Sequence, residues 1–127
     1  MTAVGVALWV ALLGALGSVC RYGVGLLGAR TFGPSVPAGT FAVNVLGSAA
    51  IGFVMSVFAA RGELLSPTRV ALTGGFLGGF TTYSAFCFET FAFVDRGAYF
   101  AAAAYVGATL VACFAGCALG FWLGRMV

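Results

Sequence analysis

Few side chains in this chain can do chemistry, and nearly all of them lie in uncharged, apolar surroundings. Asn44 carries an amide with two donor hydrogens and an acceptor oxygen, set among alanine, valine and leucine. Such an amide can bond to a neighbouring helix, or it can offer its N–H groups to a passing anion; the sequence leaves both uses open. Tyr83 and Phe86 are three residues apart and share one helix face, with Ser84 between them. Aromatic rings are positive at the edge and negative on the face. Edge-on rings therefore meet an anion and face-on rings a cation, although plain packing is the commoner use of such a pair. Thr109 and Cys113 lie one turn apart in another apolar run and form a weak polar track, with back-bonding to the helix as the alternative for Thr109.

Arg21 and Glu89 are the ionisable groups deepest in the apolar runs. A charge at membrane depth costs at least about 2.5–3.5 kcal/mol on insertion scales, which marks both residues as functional candidates. Arg21 has a stem long enough to snorkel to the interface, and Glu89 does not. A Glu–Arg pair between helices is the structural alternative for both. The chain contains no histidine and no lysine. It also lacks paired carboxylates and a phosphate loop, so there is no catalytic set. Cys113 and Cys117 have a helical i,i+4 spacing that suits a soft metal. With Cys20 and Cys87 they are read as small apolar packing residues, and no disulfide or zinc framework is visible.

The segment Gly74-Gly75-Phe76-Leu77-Gly78-Gly79-Phe80-Thr81-Thr82 stands at the centre of these positions. Each glycine in a helix interior costs roughly 1 kcal/mol against alanine. Four within six residues predict a helix broken in mid-membrane. Carbonyls released at the end of the first half-helix carry partial negative charge and suit a small hard cation.

These residues must be positioned by membrane spans. Of 127 residues, 62% are hydrophobic and 7% charged, with a mean hydropathy of +1.12; a soluble domain would have about 25% charged. Charge-free runs over 1–20, 31–60, 70–88 and 97–124 are each near or above the roughly 20 residues that cross a bilayer. The prediction is an all-α integral membrane protein, one domain over 1–127, with four helices at about 3–29, 37–60, 68–94 and 97–125. Residues 1–20 lack a basic leader and read as a retained helix. The net charge of +3 is small and dispersed, which argues against nucleic acid as a partner. Ala104, Ala108, Ala112, Gly116, Gly120 and Gly124 form a small-residue ridge for close helix packing.

Two motifs and the layout together resemble one family. The run from Gly74 to Phe86, with Glu89-Thr90 after it, is similar to the third-helix signature of the Fluc (CrcB) fluoride channels. Gly39-Thr40-Phe41-Ala42-Val43-Asn44-Val45-Leu46-Gly47 resembles their second-helix motif, and Gly17 to Tyr22 their first-helix arginine region. The resemblance implies an antiparallel, dual-topology homodimer in the cell membrane (plasma or inner), with two fluoride pores along the subunit interfaces. It implies a structural sodium ion held by main-chain carbonyls of Gly78 and Thr81. It places Asn44, Tyr83, Ser84, Phe86, Thr109 and Cys113 along the fluoride path, with Arg21 and Glu89 at the entrance or in a structural role. The chain departs from the pattern at Tyr83, where phenylalanine is usual, at Ala85, often threonine or serine, and at Cys113, often a hydroxyl residue.

The function expected is passive fluoride export that lowers fluoride toxicity. A small dual-topology, proton-coupled multidrug exporter is the alternative, but that class relies on a first-helix carboxylate and none is present here. A non-transporting scaffold would leave the glycine-rich segment unexplained.

The arginine distribution bears on orientation. Arg61, Arg69 and Arg125 fall on one side of the four-span layout, and Arg21, Arg30 and Arg96 on the other. The bias that normally fixes orientation is therefore missing. We predict insertion in both orientations. A single cysteine added at the C-terminus of a cysteine-free variant is expected to label with an impermeant reagent from both sides of the membrane; labelling from one side alone refutes dual topology.

Overall fold

A computed structural model describes residues 2–127, and every described element is helical. Helix α1 runs Ala3–Phe32 and α2 runs Ala38–Ala60. The third crossing is in two pieces, α3 over 67–80 and α4 over Tyr83–Asp95. Helix α5 closes the chain at Tyr99–Gly124. Three of these, α1, α2 and α5, are each long and apolar enough to cross a membrane unaided. The protein is a multi-pass membrane protein. The predicted spans agree to within about three residues at every end; the largest difference is the extra turn of α1, which continues to the Gly33 turn.

Local sequence explains the boundaries. Thr2 caps α1 by accepting from the Gly5 N–H at 3.2 Å. Pro67 occupies the first turn of α3, where its missing N–H costs nothing. Gly97 adopts a φ of 73° in the turn between α4 and α5, a conformation that favours glycine.

The glycine-rich segment corrects the sequence reading in one respect. Its glycines stay helical, and residues Ala71–Leu77 form a π-helix. The break comes later, where Thr81 and Thr82 are both extended, with ψ of 161° and 118°. Helix cost alone therefore does not place the break. Gly75 and Gly79 lie against α1, where an added Cβ on either would collide with main-chain atoms of Val10 or Gly14. Gly78, one position earlier, is left facing a groove.

Close approach also organises the rest. Helix α1 packs on α3, with Gly14 and Gly17 meeting Gly75, Phe76 and Phe80, so the two run parallel. Helices α2 and α5 form a second parallel pair, in which Gly116, Gly120 and Gly124 meet Val45, Ala49, Phe53 and Ser56. Only this half of the predicted small-residue ridge packs within the chain; Ala104 and Ala108 are exposed. Trp9 and Trp122 are exposed as well, as expected of interfacial side chains.

Gly17 and Gly23 make a paired test. A Cβ at Gly17 would overlap the Phe76 carbonyl, and backbone cannot yield cheaply, whereas a Cβ at Gly23 meets nothing within 4 Å. Gly17→Val is expected to destabilise the protein in detergent by about 1–3 kcal/mol. Gly23→Ala should be neutral or stabilising by up to about 1 kcal/mol. Equal thermal-unfolding midpoints for the two variants would refute the close packing of α1 on α3.

Candidate functional site

In a bilayer every backbone polar group must find a partner within the protein, so the break at Thr81–Thr82 has to be repaired by neighbours. Asn44 repairs most of it. Its Oδ1 accepts the Thr82 N–H at 2.8 Å and its Nδ2 donates to the Thr82 carbonyl at 3.0 Å. The side-chain amide thus pairs with Thr82 as a neighbouring strand would. Thr82 then caps α4, its Oγ1 accepting the Ala85 N–H at 3.2 Å. Gly47, one turn along α2 from Asn44, leaves the space that the Thr81 methyl fills.

The carbonyls before the break are treated unequally. Arg21 donates from Nε to the Gly79 carbonyl at 3.0 Å, replacing the N–H lost there. In an unbroken helix the Gly78 carbonyl would receive the Thr82 N–H, which goes to Asn44 instead. The Thr81 carbonyl would receive the Ala85 N–H, which goes to Thr82 Oγ1. Both sequence-predicted cation ligands are therefore residues that lose their ladder donor.

Gly78 and Thr81 border an open groove of about 510 Å³, whose walls come from α2, both halves of the third crossing and α5. Asn44, Tyr83, Phe86 and Cys113 also line it. Tyr83 is 76% exposed and Phe86 is buried, their ring centroids 5.7 Å apart and tilted by 46°. Two of the positions predicted along the path fall outside the groove lining, as do Arg21 and Glu89. Ser84 is exposed and shares a hydrogen bond with Thr82 Oγ1 at 3.2 Å. Thr109 is 4% exposed, and its hydroxyl has no partner, so neither back-bonding nor packing against a polar neighbour accounts for it.

Glu89 and Arg21 do not pair. The Glu89 carboxylate instead accepts from the Thr40 hydroxyl at 2.6 Å and the Tyr105 hydroxyl at 2.7 Å. Tyr105 also packs on Phe86, with centroids 5.3 Å apart, and edge-on to Phe93. It ties the groove aromatic Phe86 to the Glu89 carboxylate. Sequence reading missed Tyr105. The available signal was Phe86, Glu89 and Phe93, spaced to face one neighbouring helix on which Tyr105 is the phenol beyond the first turn.

Comparison with known proteins is decisive. Residues 8–121 match the family described as CrcB-like protein, Camphor Resistance (CrcB). The chain belongs to the CrcB family. The CrcB match takes in the Arg21 region, Asn44, the broken crossing and Thr109. A relative from Allorhizobium ampelinum, named fluoride-specific ion channel FluC, is 45% identical over 120 residues, covering 91% of this chain and 96% of the relative. One of the same name from Geobacter sp. strain M21 is 48% identical, covering 94% and 93%. A third, from Methylobacterium nodulans, is 48% identical over 101 residues, covering 80% and 81%.

The Asn44 clamp is directly testable. Asn44→Leu removes both bonds to Thr82 and strands two part-buried main-chain groups, each worth up to about 1–3 kcal/mol. Asn44→Asp keeps the acceptor but sets a carboxylate against the Thr82 carbonyl. Thermal unfolding in detergent is expected to show Leu as the more damaging change and Asp as intermediate. A leucine variant as stable as the parent rules out the clamp.

Proposed function

We propose that this CrcB-family chain is a fluoride-selective, passive anion channel that lets fluoride leave the cytoplasm, and that it is not an enzyme. The observation that carries the proposal is the clamped break, which puts Asn44, Tyr83 and Phe86 on one groove together with two carbonyl groups released from the helix. The names of the relatives support fluoride as the ion.

Fluoride is small and strongly hydrated, so a path for it must replace water with donors. Asn44 uses one N–H on Thr82 and has a second to offer. The Ser84 hydroxyl lies at the break, and the orphaned Thr109 hydroxyl, buried behind the groove lining one turn from Cys113, is a donor in reserve. The Tyr83 and Phe86 rings add positive edges in place of bulky or charged groups. Cys113 stands on the path where the family often has a hydroxyl, so the α5 side of the groove offers a weaker donor.

The assembly proposed is an antiparallel homodimer of dual topology with two pores. The exposed groove, with apolar residues such as Leu110 and Phe114 on its walls, is a surface a second copy could complete. Gly78 and Thr81 would hold a structural sodium ion through their main-chain carbonyls. The fit rests on the lost ladder donors, since hard cations prefer oxygen ligands and these oxygens are the ones released. When bound, sodium supplies a fixed positive charge beside the anion path.

Glu89 is proposed to act structurally at the pore margin, because two hydroxyls hold its carboxylate and no second carboxylate faces it. This arrangement gives no support to a proton-coupled exporter.

Efflux from liposomes tests the proposal. Fluoride should leave without a proton gradient, while chloride and an organic cation stay inside. Asn44→Asp should cut fluoride flux by at least about tenfold, losing a donor and adding negative charge. Glu89→Gln should remain active without a proton gradient. Chloride flux equal to fluoride flux, or a strict need for a proton gradient abolished by Glu89→Gln, would overturn the channel reading.

A further inference from the structure

Cys113 and Cys117 are free thiols one helical turn apart on α5, and both line the groove. Cys20 and Cys87 are not among its lining residues. We propose that Cys113 and Cys117 form a two-thiolate site for a soft divalent cation of the mercury(II) type, on the α5 wall of the groove. The inference rests on the groove itself and not on fluoride as the permeating ion.

Four features lead to this site. Residues at i and i+4 of a helix have Cβ atoms about 5–6 Å apart. Two metal–sulfur bonds of about 2.3 Å each, laid end to end, nearly match that separation. Both residues are half-buried, so the sulfur atoms are within reach of an ion in the groove. Among the described residues no group of three or more histidine, cysteine, aspartate and glutamate side chains could hold a metal. A four-coordinate ion such as zinc therefore lacks ligands here, and a cation content with two soft donors does not.

Charge selects among the soft cations. The groove is lined chiefly by apolar atoms, where an uncompensated charge is costly. Each thiol gives its proton to solvent, two metal–sulfur bonds form, and no oxidation state changes. A divalent ion on two thiolates is neutral, whereas a monovalent ion on the same pair leaves a negative charge. The bound ion would lie among Leu110, Phe114 and Ile51 and narrow the groove.

The test uses the full chain with Cys20→Ala and Cys87→Ala, so that only the groove thiols remain. Mercury(II) chloride is titrated in against a competing dithiol, and bound metal is counted by native mass spectrometry and by thiolate–mercury absorption. The expected result is one metal per chain with two protons released. Cys113→Ser and Cys117→Ser should each weaken binding at least tenfold. Adding Ala118→Cys to the Cys117→Ser variant, which moves the thiol about 100° around the helix, should not restore it. Circular dichroism and elution volume confirm that each variant is folded. Two metals per chain, or a change under threefold in either serine variant, overturns the site. A fluoride-efflux arm separates the two readings. Mercury binding that blocks efflux, or that leaves it untouched, upholds the thiol site, and the untouched case counts against the groove as the conduction path. Absence of binding overturns the thiol site and leaves the fluoride proposal standing.

Discussion

The paired hydrogen bonds between Asn44 and Thr82 are the interaction on which the rest of this structure depends. Extended backbone in the hydrocarbon region exposes an N–H and a carbonyl, and lipid offers neither a donor nor an acceptor. A primary amide supplies both from one side chain, in a geometry that backbone accepts. Because Asn44 diverts the Thr82 N–H, the Gly78 carbonyl is released. Because Thr82 is then free to cap α4, the Thr81 carbonyl is released as well. One side chain thus both stabilises the irregularity and creates its unused oxygens.

Arg21 complements this from the opposite helix. Its guanidinium donates to Gly79 rather than to a carboxylate, so a deep positive charge meets a backbone dipole at the negative end of a half-helix. Glu89 finds two hydroxyls instead. Each charge is satisfied by polar neutral groups, and the two remain separate.

Much of this was legible in the sequence. Span number, approximate ends and the broken third crossing follow from hydropathy and the glycine-rich segment, which are local signals. Asn44 stood out because polar side chains are rare in this chain, whereas Tyr83, Phe86 and Cys113, which also line the groove, were singled out from other aromatics and cysteines by the family resemblance. What was not legible depended on which helix faces which. The break lies at Thr81–Thr82 because Asn44 is there to receive it, and three of the four glycines serve other ends, Gly75 and Gly79 admitting α1 and Gly78 opening to the groove. Tyr105 looked like one more aromatic in an apolar helix, since its hydroxyl gains meaning only when Glu89 lies opposite. For Thr109 the sequence left a polar track and back-bonding to the helix both open, and pairwise spacing cannot reveal a group with neither partner.

The division of the third crossing also bears on how the chain enters the membrane. The half before the break covers 67–80 and the half after it has 13 residues, roughly 20 Å of helix each. Neither reaches the length that crosses a bilayer alone. The insertion machinery must therefore accept 67–95 as one unit, with the break already inside it, or leave both halves behind. If they were left behind, the three self-sufficient helices would set the two chain termini on opposite faces of the membrane. Completion of the third crossing, with the extended Thr81–Thr82 pair inside it, is thus what returns both termini to the same face.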